Sequence, residues 1–402
     1  MQNQTTKELK VTAIGDKGEG MASIGGARIF VPYTLPGELV CAVVDGQRAN
    51  VLDIVEPSPR RVTPPCAHFG SCGGCQLQHW ETNAYRTWKR DLVIKQLQRA
   101  EIETEIRPIV DAHGQGRRRA TLHATGTQAG FLTWRSHELH ALDKCPILVP
   151  ALDAAPQIAI ACAQIAGPCD VAFTVSDTGL DVAVRTKSKS RGRPDFAPLV
   201  RRFDLARIAI NGEIAILRRQ PVLILGTAIV ELPVSGFLQA TTLGEHTLAQ
   251  LVCEALGKAK RTADLFCGLG PFALRIAEKS QVFAVDSDRH AVAACDAALQ
   301  STPGLKRIGT DVRDLFRDPL IVSELARFNA VVVDPPRAGA QAQMRELANS
   351  QVKKIVAVSC NLTSFARDAR ILIEGGYTLD WVAPVDQFLW SAHVELVARF
   401  SR

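Results

Sequence analysis

Cys360 follows the apolar run Ile355-Val356-Ala357-Val358, inside Ser359-Cys360-Asn361, and Glu395 sits within a second apolar stretch, Val394 to Val397. A thiol at the end of a buried strand can open into a crevice, where its thiolate form is a strong nucleophile. A carboxylate among hydrophobic neighbours is costly to bury unless it has a partner or a task. The pair suits a reaction in which a thiolate adds to one ring carbon and a base later removes a proton from the next. Uracil is such a ring. A thiolate at C6 turns C5 into an enolate carbon that can take a methyl group, and loss of the C5 proton then expels the thiol. Taken alone, Cys360 reads more readily as a buried structural thiol, so the reading depends on what stands beside it. His393 could assist, but a packed or hydrogen-bonded histidine accounts for it as well.

A cofactor crevice is the first such neighbour. Asp264-Leu265-Phe266-Cys267-Gly268-Leu269-Gly270-Pro271-Phe272 has the form of a strand-to-helix turn in which Gly268 and Gly270 bring the backbone close to a ligand. Asp286 ends the next strand-like run, placed to accept hydrogen bonds from the two hydroxyls of a ribose. Ala273 stands where a dinucleotide fingerprint has its last glycine, so the turn suits S-adenosylmethionine as well as a dinucleotide. Asp334-Pro335-Pro336-Arg337 ends the buried run Ala330 to Val333 and should line the same crevice. Similar Asp-Pro-Pro segments serve amino-group methyltransferases, so this tetrad leaves the target atom open.

These groups need a scaffold. From about residue 243 helical and strand-like segments alternate: helix Thr247–Leu256, strand Thr262–Phe266, helix Pro271–Glu278, strand Val282–Asp286 and helix Arg289–Leu299. Strands Ala330–Asp334, Lys354–Ser359 and Leu379–Val385 follow. The expectation is a doubly wound α/β domain over 236–402. Short strands broken by turn residues over 1–57 predict a small β-barrel. Residues 58–235 are left as a central α+β domain, with strand-like runs such as Val222–Val230 and a basic helical pattern over 80–100.

The 402 residues carry 47 Lys and Arg against 41 Asp and Glu, a net charge of +6. Ten Lys or Arg fall between Arg185 and Arg219 against three acids, and Arg117-Arg118-Arg119 lies upstream. Such clusters fit phosphate contacts, although a solvated charged face explains them about equally well. No apolar run is long enough to span a membrane, and the polar start lacks the apolar core of a signal peptide. A cytoplasmic protein is expected, and nothing demands more than a monomer.

Eleven cysteines in a reducing compartment do not suggest disulfides. Cys41, Cys162, Cys169, Cys253 and Cys295 stand singly and read as small buried hydrophobes. Cys66, Cys72 and Cys75 fall within ten residues, with glycines between the last two, and Cys145 can supply a fourth thiolate. All-thiolate ligation fits a [4Fe–4S] cluster or a structural zinc. The spacing is not that of radical enzymes.

Together these motifs resemble the bacterial 23S rRNA (uracil-C5)-methyltransferases, in the family that also holds the tRNA 5-methyluridine enzymes. The resemblance runs over nearly the whole chain and implies an N-terminal TRAM barrel, a central domain with a [4Fe–4S] cluster on Cys66, Cys72, Cys75 and Cys145, and a methyltransferase domain on which the helix around 80–100 packs. It implies that Gln239, Phe266, Asp286, Asp311 and Asp334 contact S-adenosylmethionine, that Phe237 stacks near the target base, and that Cys360 and Glu395 are nucleophile and base. The cluster tilts the substrate towards ribosomal rather than transfer RNA. Three departures stand out: Pro271 replaces an asparagine, Leu362 a proline, and Leu389-Trp390 a Pro-His pair. Two other readings are methylation of an amide or exocyclic nitrogen, which needs neither Cys360 nor Glu395, and an RNA-binding iron–sulfur protein without catalysis.

Overall fold

The structure is a computed structural model that describes residues 5–187 and 194–402. Lys189, Arg191 and Arg193 of the basic stretch lie outside the described residues.

The C-terminal half is built on a nine-stranded sheet. From one edge its strands are Arg307–Val312, Gln281–Asp286, Arg261–Leu265, Ala330–Val333, Lys354–Ser359, Glu395–Ser401 and Thr378–Asp386. The first five run parallel, and Glu395–Ser401 enters antiparallel between Lys354–Ser359 and Thr378–Asp386. Strict alternation explains why these strands are apolar throughout. Val331, Val333, Ile355 and Ala357 join one apolar layer while Ala330, Val332, Val356 and Val358 join the other. Both faces are covered by helices, as a parallel sheet requires. Thr242–Leu256 and Arg289–Ser301 cover one face, Gln341–Ala348 and Leu362–Glu374 the other.

The far edge of this sheet comes from a distant part of the chain. Short strands Glu105–Ile106 and Val110–Asp111 pair in parallel with Thr378–Asp386. Helix Thr82–Arg99 packs Val93 and Leu97 into the same apolar layer as Leu372 and Phe400. The helix around 80–100 thus packs on the methyltransferase domain, as the resemblance implies, and the two short strands up to Asp111 extend that attachment to the sheet edge. The segment Val222–Val230 departs from expectation. It folds as a hairpin, Val222–Leu225 with Ala228–Glu231, because Gly226 turns the chain at φ 66°. Its Leu223, Leu225 and Val230 pack on the C-terminal side as well. Helix Pro271–Glu278 shrinks to Ala273–Ala277.

Residues 5–56 form a six-stranded sheet around a small core of Leu9, Val31, Val40 and Ala42. The middle of the chain forms a seven-stranded sheet from Leu139–Ala141 through Arg119–Ala124 to Glu213–Leu217, with helix Ala155–Ala166 packed on it. Three arginines of the basic stretch make ion pairs in this region, one of them buried. Arg207 is buried in a two-pronged pair with Asp181 at 2.7 and 2.8 Å, and Arg218 and Arg219 both bind Asp204. Those three arginines are thus folded into ion pairs instead of standing free for phosphates. Cys162, Cys169 and Cys295 are buried as expected, while Cys41 and Cys253 are only half-buried.

Candidate active site

The strand ends of the nine-stranded sheet open into a cavity of about 530 Å³. Cys360, Glu395, Asp334 and Asp286 all line it, as do Phe237 and Gln239. Asp286, Asp334 and Cys360 meet because parallel strands deliver their C-terminal ends to one crevice, and Glu395 joins them at the start of the antiparallel strand.

The glycine turn forms the floor. Phe266 leaves strand Arg261–Leu265 in the left-handed region at φ 61°, a strained setting for an aromatic residue that tends to mark functional sites. Its ring lies 5.4 Å from that of Phe316, also on the cavity wall. Gly268, at φ 51°, donates its N–H to Asp286 Oδ2 at 2.9 Å. A Cβ on Gly270 would come within 2.5 Å of Cys295 Sγ, so that position needs glycine. Asp286 also accepts from the Asp288 N–H at 2.8 Å, and this fixes the carboxylate with lone pairs still facing the cavity. Asp311 sits one strand further out, beside Val285, and is not among the cavity-lining residues. Pro271 lines the cavity, with its carbonyl accepting from Arg275 at 2.8 Å.

Burial and the Asp334 charge push the Glu395 carboxyl up to about 8, against a bond from Gln387 that lowers it. Gln387 Nε2 donates to Glu395 Oε1 at 3.2 Å and to Gln239 Oε1 at 2.8 Å. Burial and Asp286 raise Asp334 to about 7. Asp264, beneath the turn, is fully buried with neither oxygen hydrogen-bonded to a side chain, and burial drives its carboxyl well up. Burial, Glu395 and Asp334 raise the Cys360 thiol to about 11, and Arg337 opposes them. Arg337 also faces His393 Nε2 at 3.3 Å, and burial with nearby cations lowers that imidazole to about 4, so it stays neutral.

Above the cavity, Phe237 is 62% exposed and thus free to stack on a planar ring. The Arg119 guanidinium covers its ring at 4.5 Å, and Arg117 lies 5.7 Å from the ring of Phe388. Arg117 and Arg119 line the cavity, whereas Arg118 points inward to bind Glu245 at 2.6 Å. The triple-arginine run signalled anion contacts; the alternation along the strand decides which of its members face the cavity. Gln387 and Phe388 had been only neighbours of motif residues in the sequence, whereas Arg337 belonged to the tetrad expected to line the crevice.

Cys66, Cys72, Cys75 and Cys145 lie apart from this cavity, within electrostatic influence of one another. Each of the other three thiols raises the titration of Cys75, which burial first pushes up to about 12. Cys145 is raised to about 11 by burial, then by Cys72 and Cys66. The Gly74 N–H donates to Cys72 Sγ at 3.4 Å, and a Cβ on Gly73 would meet the Leu132 carbonyl oxygen at 2.8 Å. Among the described residues, no group of three or more His, Cys, Asp or Glu is set to hold a metal ion.

Residues 228–401 match the family model described as tRNA (Uracil-5-)-methyltransferase. An RNA methyltransferase of Brucella suis is 45% identical across 99% of this chain and 98% of its own length. The 23S rRNA (uracil(1939)-C(5))-methyltransferase RlmD of Chromohalobacter salexigens is 31% identical across 99% of this chain and 90% of its own. This chain belongs to the RNA uracil-5-methyltransferase family. The fold agrees along its whole length. The crystal structure of Pyrococcus abyssi tRNA (uracil-54, C5)-methyltransferase in complex with S-adenosyl-L-homocysteine superposes with a TM-score of 0.78 at 23% identity, covering 98% of this chain and 99% of that one. As an RNA uracil-5-methyltransferase, the chain gathers the Cys360 thiol and the Glu395, Asp334 and Asp286 carboxyl groups in one cavity. No described helix is long and apolar enough to cross a membrane.

Proposed function

We propose that this enzyme transfers a methyl group from S-adenosylmethionine to C5 of one uridine in ribosomal RNA, with Cys360 as nucleophile and Glu395 as base. The observation that carries the reading is that both side chains line one cavity with Asp286 and Asp334. Asp286 would hold the ribose of the methyl donor, with Phe266 and Gln239 alongside. Phe237, under Arg119, would stack on the uracil. The Cys360 thiolate adds to C6, and the C5–C6 electrons move to form an enolate. C5 then takes the methyl group, the donor leaves as a neutral thioether, Glu395 removes the C5 proton, and the C6–S bond breaks. Arg337 favours the thiolate, opposing the two nearby carboxylates.

The likeness to a relative named for 23S rRNA, over nearly the full length, supports ribosomal over transfer RNA. Cys66, Cys72, Cys75 and Cys145 would hold a [4Fe–4S] cluster. The three thiols within ten residues, the glycines between the last two and the Gly74 N–H on the Cys72 sulfur support that assignment. Its chemistry would be structural, since four protein ligands leave no open iron position.

The test uses RNA carrying 5-fluorouridine, in which no C5 proton can leave. With S-adenosylmethionine, wild-type protein should form a denaturation-resistant adduct on ribosomal RNA that Cys360→Ala does not form. Methylation unimpaired in Cys360→Ala would instead favour an amide or exocyclic nitrogen target. A stronger adduct on transfer RNA would move the substrate.

A further inference from the structure

We propose that the segment Cys75-Gln76-Leu77 positions the catalytic base, by pinning the loop that links Gln387 to Glu395. The inference rests on the assignment of Glu395 above. The backbone N–H groups of Gln76 and Leu77 both donate to the carbonyl oxygen of Trp390, at 3.0 and 3.1 Å. Trp390 is held in the left-handed region at φ 58°, which a large side chain occupies only when its surroundings over-determine it. Two converging donors are such surroundings. Leu77 is fully buried and packs in one cluster with Leu389 and Ala392, on either side of Trp390.

The same loop is fixed near its start. The Phe388 carbonyl accepts from Lys89 Nζ at 2.9 Å and from Ser391 Oγ at 2.9 Å. With Phe388 held by the helix and Trp390 by the cysteine segment, residues 391–394 have little freedom, and Glu395 enters its strand in one place. Trp390 is absent from the cavity lining, so its contribution runs through the backbone and not through contact with substrate. Cys75 is one residue from the pin, which ties the four-thiol site to the proton-abstraction step in particular.

The proposal separates two steps of one reaction. Adduct formation on 5-fluorouridine RNA needs Cys360 and methyl transfer but no base, whereas turnover on ordinary RNA needs the base. Trp390→Val, β-branched and ill suited to positive φ, should lower turnover about tenfold or more and accumulate adduct on ordinary RNA. Its adduct with 5-fluorouridine RNA should form within about threefold of the wild-type rate. Trp390→Gly and Trp390→Asn, which accept positive φ, should restore turnover relative to Trp390→Val. In the wild type, hydrogen exchange should find the Gln76 and Leu77 amides protected. Equal turnover in the Val and Gly variants, equal loss of both steps in the Val variant, or unprotected amides would each overturn the proposal. Glu395→Gln, run alongside, distinguishes the failures. If it turns over normally the base assignment falls, and if it accumulates adduct while Trp390→Val does not, only the pin falls.

Discussion

Gln387 donates a hydrogen bond to Glu395, Nε2 to Oε1 at 3.2 Å, in a setting where both side chains are buried. That bond favours the charged carboxylate against the burial that drives it up to about 8. A hydrogen bond to a charged group contributes about 1.5 kcal/mol, or about one pK unit. Gln387→Leu should therefore move the alkaline rise of turnover up by about one pH unit, read from a rate–pH profile. An unmoved profile would show the bond absent in the working enzyme.

The wild-type profile has its own expected shape. Glu395 must be deprotonated to act as base and Cys360 deprotonated to act as nucleophile, and both folded-state values are raised, to about 8 and about 11. The active forms of both groups grow with pH. Cys360 governs adduct formation and Glu395 the later proton removal. The logarithm of kcat/KM should climb with pH until about 11, whereas kcat, where proton removal limits, should level off above about 8; a flat neutral plateau in kcat/KM would contradict this arrangement.

Arg337 offsets part of the burial at Cys360. Arg337→Ala should slow alkylation of Cys360 by iodoacetamide at pH 8 by about threefold to tenfold, because less thiolate is present. Glu395→Gln should speed it, since the neighbouring negative charge is removed. Mass spectrometry of the peptide carrying residue 360 reads both.

Asp286 holds the Gly268 turn as well as facing the cavity. Asp286→Ala should weaken S-adenosylmethionine binding by about tenfold to a hundredfold, the loss of charge-assisted hydrogen bonds. Titration calorimetry with unchanged affinity would place the ribose elsewhere.

The buried Arg207–Asp181 pair makes a stability prediction. Asp181→Ala leaves a guanidinium buried without its counter-charge, at a cost of about 3–5 kcal/mol. Urea unfolding should show that loss, while the salt dependence of RNA binding should stay as in wild type. A change in the salt slope would return Arg207 to the RNA-binding surface.

Where the sequence carried a strong local signal it was readable. The unbroken apolar runs Ala330–Val333 and 355–358 mark strands buried on both faces, and the chain continues from such strands into Asp334 and Cys360. The two-residue strands Glu105–Ile106 and Val110–Asp111 carry no periodicity, so their place at the sheet edge could not be read. Ion pairing across long separations was equally hidden. Arg207 looked like one more member of a basic run until the fold set Asp181 against it. The left-handed turns at Phe266 and Trp390 break local preference, and at Trp390 the Gln76 and Leu77 amides supply hydrogen bonds from a distant part of the chain.

The Lys89–Asp386 pair joins groups 297 residues apart, at 2.5 Å and out of water. At translation rates of about 5–20 residues per second, Lys89 leaves the ribosome some 15 to 60 seconds before its counter-ion exists. During that interval helix Thr82–Arg99 has no sheet to cover, and Trp80, Tyr85 and Trp88 stand without the Leu389 and Ala392 contacts that later cap them. The first third of the chain must wait for the last residues before the domain that performs the chemistry can close.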